Sequence, residues 1–426
     1  MTKLLLSRVI LKSIRSCVDN FDLKLGISVV FIFISSIVLL HFVFLYPLGF
    51  PLTVAPFFIA FLFLRHYCLR LKKIAVIYII LLFILPLFVF LFSFDSIYTL
   101  DVIQFFRTYI LWIVSAFTVV FASTAKINRL YDYRAALAIT ISIIGIYSII
   151  QVAEAHILGT TALYYPFGKF SYLNQTDVSG FVMEGSIRAN SFYLEPSFAA
   201  FVIFFLLTMY LMYPVSEKRG WVSLLIAVLV YMFVIGSAAG IIAVVGLVLL
   251  SMLSSVRLQS LGKIFILLCI LIGIYIFLIQ FGSRLIEIGV EGSSGYWRLI
   301  APLYVIAKAM EQSLVGMPLG QISDFVFSLG LQHGQSIGSS IDNGLFVILY
   351  NFGLPALLFF CFAGLHFIVA LLNGRREDVI FLWFIFIGLQ FSGAVYTPEF
   401  LVAIVLVIYS YRCRNLTHLH SEYPKK

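Results

Sequence analysis

The sequence predicts an all-α protein that crosses a membrane many times. Hydrophobic residues make up 62% of the 426 positions, and charged residues only 11%. Both values lie far from those of soluble globular proteins. Apolar runs of about twenty residues, each long enough to cross a bilayer, recur from end to end. We therefore expect one integral-membrane domain that spans residues 1–426.

The apolar runs predict about twelve transmembrane helices. The predicted spans are 25–45, 50–64, 74–94, 103–123, 135–155, 197–213, 221–235, 239–253, 264–280, 344–372, 379–393 and 399–411. The pairs at 221–253 and 379–411 are short enough that one long helix could replace each. Two helices are favoured in both places, because a single helix would put successive basic loops on opposite sides of the membrane.

Basic residues set the predicted orientation. Alternate connections hold 22 of the 28 Lys and Arg residues, namely 1–24, 65–73, 124–134, 214–220, 254–263, 373–378 and 412–426. By the positive-inside rule these connections and both termini are cytoplasmic. The net charge of +9 is thereby explained by topology, and no nucleic-acid partner is expected.

Two loops on the opposite, outer face are unusually long, at 156–196 and 281–343. Long loops in a compact domain are commonly functional. The second loop contains apolar residues at helical spacing, which predict an amphipathic helix near 296–314 on or in the membrane surface. The positions that carry this pattern are Leu299, Leu303, Ile306, Ala307 and Met310.

The outer loops hold few basic residues, and most of these are arginines. A guanidinium grips phosphate oxygens with two parallel hydrogen bonds, so Arg188, Arg284 and Arg298 are candidate ligands for a lipid-linked phosphate. The alternative is a structural pair with a nearby carboxylate, such as Arg188 with Glu184. Arg107 lies one turn inside its span, where it is either an interfacial anchor or a substrate contact.

Two carboxylates stand where an outer loop enters the membrane, Glu195 and Asp342. An apolar setting can raise the pKa of such a group toward the working pH, as a general base requires. Either residue could instead cap its helix. For Glu195 a helix start is strongly indicated, because proline, here Pro196, suits the first helical position.

Three stretches resemble the O-antigen polymerase (Wzy-type) and ligase superfamily of bacterial envelope glycosyltransferases. They are "IRANSFYLEPSFAAF", "GYWRLIAPLYVIAKAMEQSLVGMPLGQISDF" and "SSIDNGLFVILYNFGLPALLFF". The first resembles an arginine-bearing outer loop that runs into a helix. The second resembles a loop with an arginine, an amphipathic segment and a turn with Gly316 and Gly320. The third resembles a polar residue and an asparagine, here Asn343, that open a later helix.

One departure favours a polymerase over a ligase within this superfamily. Ligases typically carry a histidine immediately before the asparagine, where this chain has Asp342. His333, nine residues earlier, would have to fold back to take that role; otherwise it is a solvated loop residue. Tyr296 and Trp297, beside Arg298, are candidates for stacking on sugar rings, although interfacial aromatics are common in membrane proteins.

The resemblance implies a fold like that of the GT-C glycosyltransferases and an enzyme in the bacterial inner membrane. It would join polyprenyl-pyrophosphate-linked oligosaccharides, as donor and acceptor, into O-antigen or a related surface polysaccharide at the periplasmic face. The outer loops contain no D-x-D metal motif, so no metal or cofactor is expected, and the arginines would stabilise the leaving pyrophosphate. A chain-length regulator is an implied partner.

Two alternatives stay open on the sequence alone. The first is a ligase that transfers finished glycan to lipid A core. The second is a flippase for the same lipid-linked sugars. Transporters concentrate ionisable residues near the middle of the membrane, whereas the predicted spans here are nearly free of charge, which favours an enzyme.

Overall fold

The computed structural model describes twelve stretches of the chain, and every structural statement below concerns these residues. They are 31–45, 52–67, 73–92, 101–127, 133–164, 187–193, 195–212, 221–254, 289–290, 294–331, 343–391 and 397–422. The predicted span 264–280 lies outside them.

Helices dominate the described residues, as the sequence predicts. In chain order they are α1 (31–38), α2 (Ala55–His66), α3 (Lys73–Phe92), α4 (Val102–Thr124), α5 (Arg134–Leu158), α6 (Pro196–Met212), α7 (Trp221–Ile235), α8 (Ala238–Leu253), α9 (Ser294–Gln312), α10 (Ile322–Ser328), α11 (Gly344–Leu372), α12 (Arg376–Phe391) and α13 (Pro398–Glu422). A short 3₁₀ helix covers Ala162–Tyr164.

Among the described residues, four helices are long and apolar enough to cross a membrane: α3, α4, α5 and α11. Shorter apolar helices lie within Ala55–Leu64, Pro196–Met212, Ser223–Ile235 and Ala238–Leu253. The all-α class and the apolar character of the helices are thus confirmed. The count of twelve spans stays a prediction.

A small antiparallel ribbon corrects the predicted ends of the first two spans. Strand β1 (Val43–Leu45) pairs with β2 (Leu52–Thr53), with Val43 opposite Thr53 and Leu45 opposite Leu52. Helix α2 accordingly begins at Ala55, five residues later than expected. The reason lies in the intervening sequence, which carries Pro47, Gly49 and Pro51, residues that disfavour a continuous helix.

Both short hairpins contain two helices, as the distribution of basic loops predicted. Gly236, in the left-handed region at φ 66°, ends α7. The hydroxyl of Ser237 then accepts a hydrogen bond from the N–H of Gly240 at 3.1 Å and caps α8. Helices α12 and α13 are likewise separate.

Helix α6 is the centre of the bundle. Fifteen of its 17 residues are buried, and it packs against α5, α7, α8, α12 and α13. Phe201 and Phe204 lie against the rings of Phe384 and Phe391 on α12. A helix that is apolar around its whole circumference is expected to be buried on all sides, and the stretch that follows Glu195 is such a helix.

Several of the hydrogen bonds between distant segments lie in two groups at opposite ends of the helices. One end carries Gln104–Gly320, Tyr193–Ile37 and Asn343–Gln390; we call it the loop end. The other carries Ser251–Arg376, Asp378–Tyr411 and Ala122–Arg412. Residues predicted on the same side of the membrane therefore lie together, in agreement with the alternation of basic loops.

Candidate functional site

Apart from Arg107 on α4, the predicted site residues that the structure describes lie in two regions of the loop end. The first is residues 187–193, the first-loop segment, together with the start of α6. The second is residues 294–331, the second-loop segment, together with the start of α11. Each region is positioned in a different way.

A buried glutamine holds the first-loop segment. The side-chain nitrogen Nε2 of Gln151 on α5 lies 3.0 Å from the side-chain oxygen of Asn190, 3.0 Å from the carbonyl of Ser191 and 2.9 Å from the carbonyl of Leu163. Its oxygen accepts the backbone N–H of Ser191 at 2.8 Å. Gln151 is fully buried, so these groups take the place of water.

Ser191 adopts an uncommon backbone conformation. Its φ is 54°, in the left-handed region that a non-glycine residue rarely enters. The Ser191 hydroxyl donates to the carbonyl of Ile144 at 3.1 Å, and the Asn190 amide donates to the carbonyl of Tyr164 at 3.2 Å. Such strain persists only where the surroundings fix it, and it concentrates at functional sites.

The neighbouring turn of the first long loop is fixed by a carboxylate. Glu154, one helical turn beyond Gln151, accepts the hydroxyl of Thr160 at 2.6 Å and the N–H groups of Ala162 and Leu163 at 3.0 Å. This holds the 3₁₀ helix whose carbonyls contact Gln151 and Asn190. Residues 160–164, the described start of the first loop, are therefore folded back onto the end of α5.

Tyr193 fixes the other end of the first-loop segment. Its hydroxyl donates to the carbonyl of Ile37 at 3.1 Å, and burial raises the pKa of the phenol well above its usual range. The ring of His41 stands edge-on to Tyr193 with centroids 5.4 Å apart. His41 lies 3.7 Å from the carboxylate of Glu399, so the residues that follow α1 meet the start of α13 next to Tyr193.

Arg188 extends from this fixed segment onto the turn between α7 and α8. A Cβ at Gly236 would lie 2.9 Å from the Cγ of Arg188, closer than atoms pack in proteins. The arginine stem thus rests on a glycine that leaves room for it. The Arg188 side chain is half-buried, and this contact places it.

Glu195 starts α6, as predicted from the proline that follows it. Its carboxylate accepts the hydroxyl of Ser197 at 2.9 Å, and its carbonyl accepts the N–H of Phe198 at 3.1 Å. The side chain is exposed and open to solvent at the loop end. The helix-start role is confirmed, and the role of general base stays a prediction.

The second-loop segment contains the predicted amphipathic helix as α9, but its buried face differs from the predicted one. Trp297, Ala301, Val305 and Ala309 are buried and pack with the first turns of α11. Of the expected apolar face, Ile306 is buried as well, whereas Leu303 and Ala307 are exposed. The physical reason is that a protein helix, α11, covers the face at spacing i, i+4.

Helix α11 is broken where the second-loop segment enters it. Gly353 departs from helical geometry at φ 47° and ψ −129°. The N–H of Leu354 donates to the carbonyl of Leu314 at 2.8 Å, and the N–H of Met317 donates to the carbonyl of Tyr350 at 2.9 Å. Backbone groups freed by the break are satisfied by the loop, as irregular backbone inside a membrane bundle requires.

Glycines make this insertion possible. Gly316 has φ 107°, and a Cβ there would overlap the carbonyl group of Asn351. Gly320 has φ 83° and approaches the backbone of Gln104 on α4, whose side-chain nitrogen donates to the Gly320 carbonyl at 2.6 Å. The two glycines quoted from the sequence thus bring the second-loop segment against α11 and α4.

Asn343 opens α11 as expected. Its side-chain oxygen accepts the N–H of Leu345 at 3.1 Å, and its side-chain nitrogen donates to Gln390 on α12. Only 1% of the residue is exposed. The geometry gives Asn343 a capping function between two helices.

The remaining candidates differ in accessibility. Trp297 is 2% exposed within an apolar cluster, so its ring belongs to the core, whereas Tyr296 beside it is half-buried. Arg107 is exposed on α4. Arg298 lies in α9, but its side chain is not among the described ones. Arg284, His333 and Asp342 lie outside the described residues.

Within the described part of the chain, no three His, Cys, Asp or Glu side chains are grouped closely enough to hold a metal ion.

The polar residues Gln151, Asn190 and Ser191 did not emerge from the sequence as site residues. The available signal was the pair Gln151 and Glu154, polar side chains one turn apart at the end of an apolar span.

A bundle of apolar helices with two loops folded into one end defines an integral-membrane protein with its candidate site at that end. Residues 28–413 match the model of the WcaD colanic acid polymerase family. The match covers most of the chain, and the protein belongs to this family.

A curated relative is the Escherichia coli (strain K12) protein named "Putative colanic acid polymerase". It is 22% identical over 278 residues, which cover 63% of this chain and 68% of the relative. No solved structure matches the chain significantly. Family and relative confirm the prediction of a Wzy-type polymerase of surface polysaccharide; neither supports a ligase or a flippase.

Proposed function

We propose that this protein is a glycosyltransferase that polymerises polyprenyl-pyrophosphate-linked oligosaccharide repeat units at the periplasmic face of the bacterial inner membrane. The observation that carries the proposal is the match of residues 28–413 to a polymerase family. The geometry adds a fixed arginine, Arg188, at the end of the bundle that holds both long loops. Both termini are then cytoplasmic.

The reaction is a displacement at the anomeric carbon of the growing chain. A hydroxyl oxygen of the incoming repeat unit forms the new bond to that carbon, while the bond from the carbon to the pyrophosphate oxygen breaks. The hydroxyl proton passes to a base, and the pyrophosphate leaves with its additional negative charge. Preorganised cations stabilise that charge more in the transition state than in the substrate.

Arg188 is the best-supported ligand for the leaving pyrophosphate. Its position is set before substrate arrives, so little reorganisation accompanies the reaction. Arg284 and Arg298 complete the proposed set of cations on the second long loop, whereas Arg107, exposed on α4, is proposed as an interfacial anchor. With these arginines in place the reaction needs no metal ion.

The proposed base is a side chain of one of the two long loops. Glu195 is exposed at the loop end, and Asp342 directly precedes the cap residue Asn343. His333 is the third candidate on the same loop. Tyr296, with its half-buried ring, offers an apolar face to a sugar. A chain-length regulator would act on the same growing polymer as a partner protein.

The proposal is tested with purified protein in detergent and lipid-linked repeat units isolated from cells that lack this protein. In the presence of EDTA we expect a ladder of polymers separated by one repeat unit on a gel. Absence of a ladder with folded protein would contradict the polymerase. Restoration by Mg²⁺ would contradict only its metal independence, and transfer to added lipid A core would instead indicate a ligase.

A further inference from the structure

We infer that Gln151 is a positioning residue for polymerisation, which acts by fixing the backbone that carries Arg188. This inference rests on the proposed function and names a residue that neither the sequence motifs nor the family match singled out. Gln151 lies on α5 and bonds Asn190 and Ser191, so it acts on Arg188 through the first-loop segment.

The first step of the argument is the depth of the segment. Ser191 bonds to the carbonyl of Ile144, which lies 14 residues before Leu158, the end of α5. At about 1.5 Å per residue, that is about 20 Å along the helix, and Gln151, which bonds the Ser191 backbone, lies about 10 Å from the same end. Irregular backbone at this depth must find hydrogen-bond partners within the protein.

The second step is the match between Gln151 and the segment. Its amide oxygen accepts the Ser191 N–H at 2.8 Å and its nitrogen lies 3.0 Å from the Ser191 carbonyl. One side chain thus satisfies both backbone groups of a residue held at φ 54°. An amide carries donor and acceptor on adjacent atoms, and no apolar or singly functional side chain could replace it here.

The third step connects the segment to Arg188. Only Ala189 and Asn190 separate Arg188 from Ser191, and both are buried. Asn190 also bonds Gln151, at 3.0 Å. The arginine stem in turn rests on Gly236. Loss of the Gln151 contacts would release the backbone on one side of Arg188 while the arginine itself stays intact.

The expected effect is on rate through geometry. A displacement of about 1 Å in a positioning group can cost roughly 100-fold in rate. We expect Gln151→Leu to lower the elongation rate by about 10- to 100-fold at saturating substrate. Gln151→Glu should do the same, because a carboxylate would face the carbonyl oxygens of Leu163 and Ser191 without a donor.

The test is a double-substitution cycle with Arg188→Lys, which keeps the charge but not the planar fork. If Gln151 acts through Arg188, Gln151→Leu should lower the rate much less, by about threefold or below, when Arg188→Lys is already present. An equal fold-loss in both backgrounds would overturn the inference, since it would indicate a general structural effect. An unchanged rate in the single variant would overturn it as well.

Two further variants keep the test decisive. Thr140→Val, on the same helix, removes an equally buried hydroxyl that bonds the Ala136 carbonyl at 2.7 Å; it should leave the rate within about twofold. If Gln151→Leu does not fold, Asn190→Ala, which removes one Gln151 contact, replaces it in the same cycle. If the wild-type protein yields no ladder, that result contradicts the proposed function. It is distinct from a failure of the Gln151 inference, which is measured only in variants of an active protein.

Discussion

The two loop regions are held in place by different kinds of contact. In the first-loop segment, side chains make the contacts: Gln151 and Glu154 each satisfy several backbone groups of the first long loop. In the second-loop segment, backbone bonds to backbone, where residues 314–317 enter the broken helix α11. The first region therefore depends on polar side chains, and the second depends on the absence of side chains at glycines.

This difference predicts how each region responds to substitution. Removing a polar side chain from the first region loosens a local segment and changes the position of Arg188. Adding a methyl group in the second region pushes two backbones apart and breaks the packing between α9 and α11. Substitutions in the first region should therefore lower the elongation rate. Substitutions in the second region should lower the stability of the protein.

The largest effect is expected at the glycines of the second region. Gly353→Ala and Gly316→Ala each put a Cβ into neighbouring backbone at a positive φ, so we expect a loss of folded protein or a destabilisation of roughly 3 kcal/mol or more. Thermal unfolding in detergent measures this. The matched control is Gly364→Ala, also on α11, where nothing lies within 4 Å of an added Cβ.

The Gly364→Ala control should be neutral or stabilising by up to about 1 kcal/mol, since alanine is a better helix former than glycine. If Gly353→Ala were as stable as Gly364→Ala, the broken helix and the inserted loop would be contradicted.

A smaller effect is expected at Ser191 in the first region. Glycine enters the left-handed conformation without strain, and Ser191→Gly keeps both backbone bonds to Gln151. Its elongation rate should stay within about threefold of the original, since only one hydroxyl bond is lost. Valine is β-branched and strained at φ 54°. Ser191→Val should therefore lower the elongation rate by about tenfold or more, the size of loss expected when a positioning group is displaced. Equal rates for the two variants would contradict the left-handed backbone.

The smallest effect is expected on the exposed face of α9. The Glu311 carboxylate, 2.7 Å from the Lys308 nitrogen, raises the pKa of that lysine above its usual value of 10.5. A raised pKa means that any contribution to stability is fully present at neutral pH and is lost as the pH rises past the lysine pKa. The pair is exposed, and exposed ion pairs contribute little to stability because water and salt screen them. Glu311→Gln should therefore leave the thermal midpoint at pH 7 unchanged.

A clear decrease of the midpoint in Glu311→Gln at pH 7 would show that this face of α9 contributes to stability. The second region would then also depend on polar side chains, which contradicts the proposed difference between the two regions.

The sequence predicts the helices well and their mutual contacts poorly. Apolar runs give the bounds of α4, α5, α6 and α8 to within three residues, because burial in lipid or protein needs the same continuous apolar stretch. Pro196 marks the start of α6 for a purely local reason. The first long loop, by contrast, is fixed by residues about 40 positions apart, such as Gln151 and Ser191, and no local pattern reports such a pair.

The candidate site shows the same limit. Arg188 and Glu195 could be singled out because charged residues are rare in an apolar chain, and Asn343 because its stretch resembles a superfamily motif. The burial of Trp297 could not be predicted, because interfacial and core aromatic residues have the same local sequence pattern. The break at Gly353 is likewise a tertiary feature: a glycine and a nearby proline, Pro355, permit a kink, but the inserted loop determines where it forms.

The central claim is that Arg188, an arginine positioned by the fold at the loop end, stabilises the charge of the leaving pyrophosphate. The most direct measurement compares elongation rates of Arg188→Ala and Arg107→Ala, purified in the same detergent and supplied with lipid-linked repeat units in EDTA. Arg188 is held against Gly236, whereas Arg107 is exposed on α4. We predict a loss of about 100- to 1,000-fold for Arg188→Ala, the scale of one transition-state donor, and a loss below about threefold for Arg107→Ala, as for an exposed anchor. Equal rates for the two variants, both near that of the unsubstituted protein, would contradict the claim.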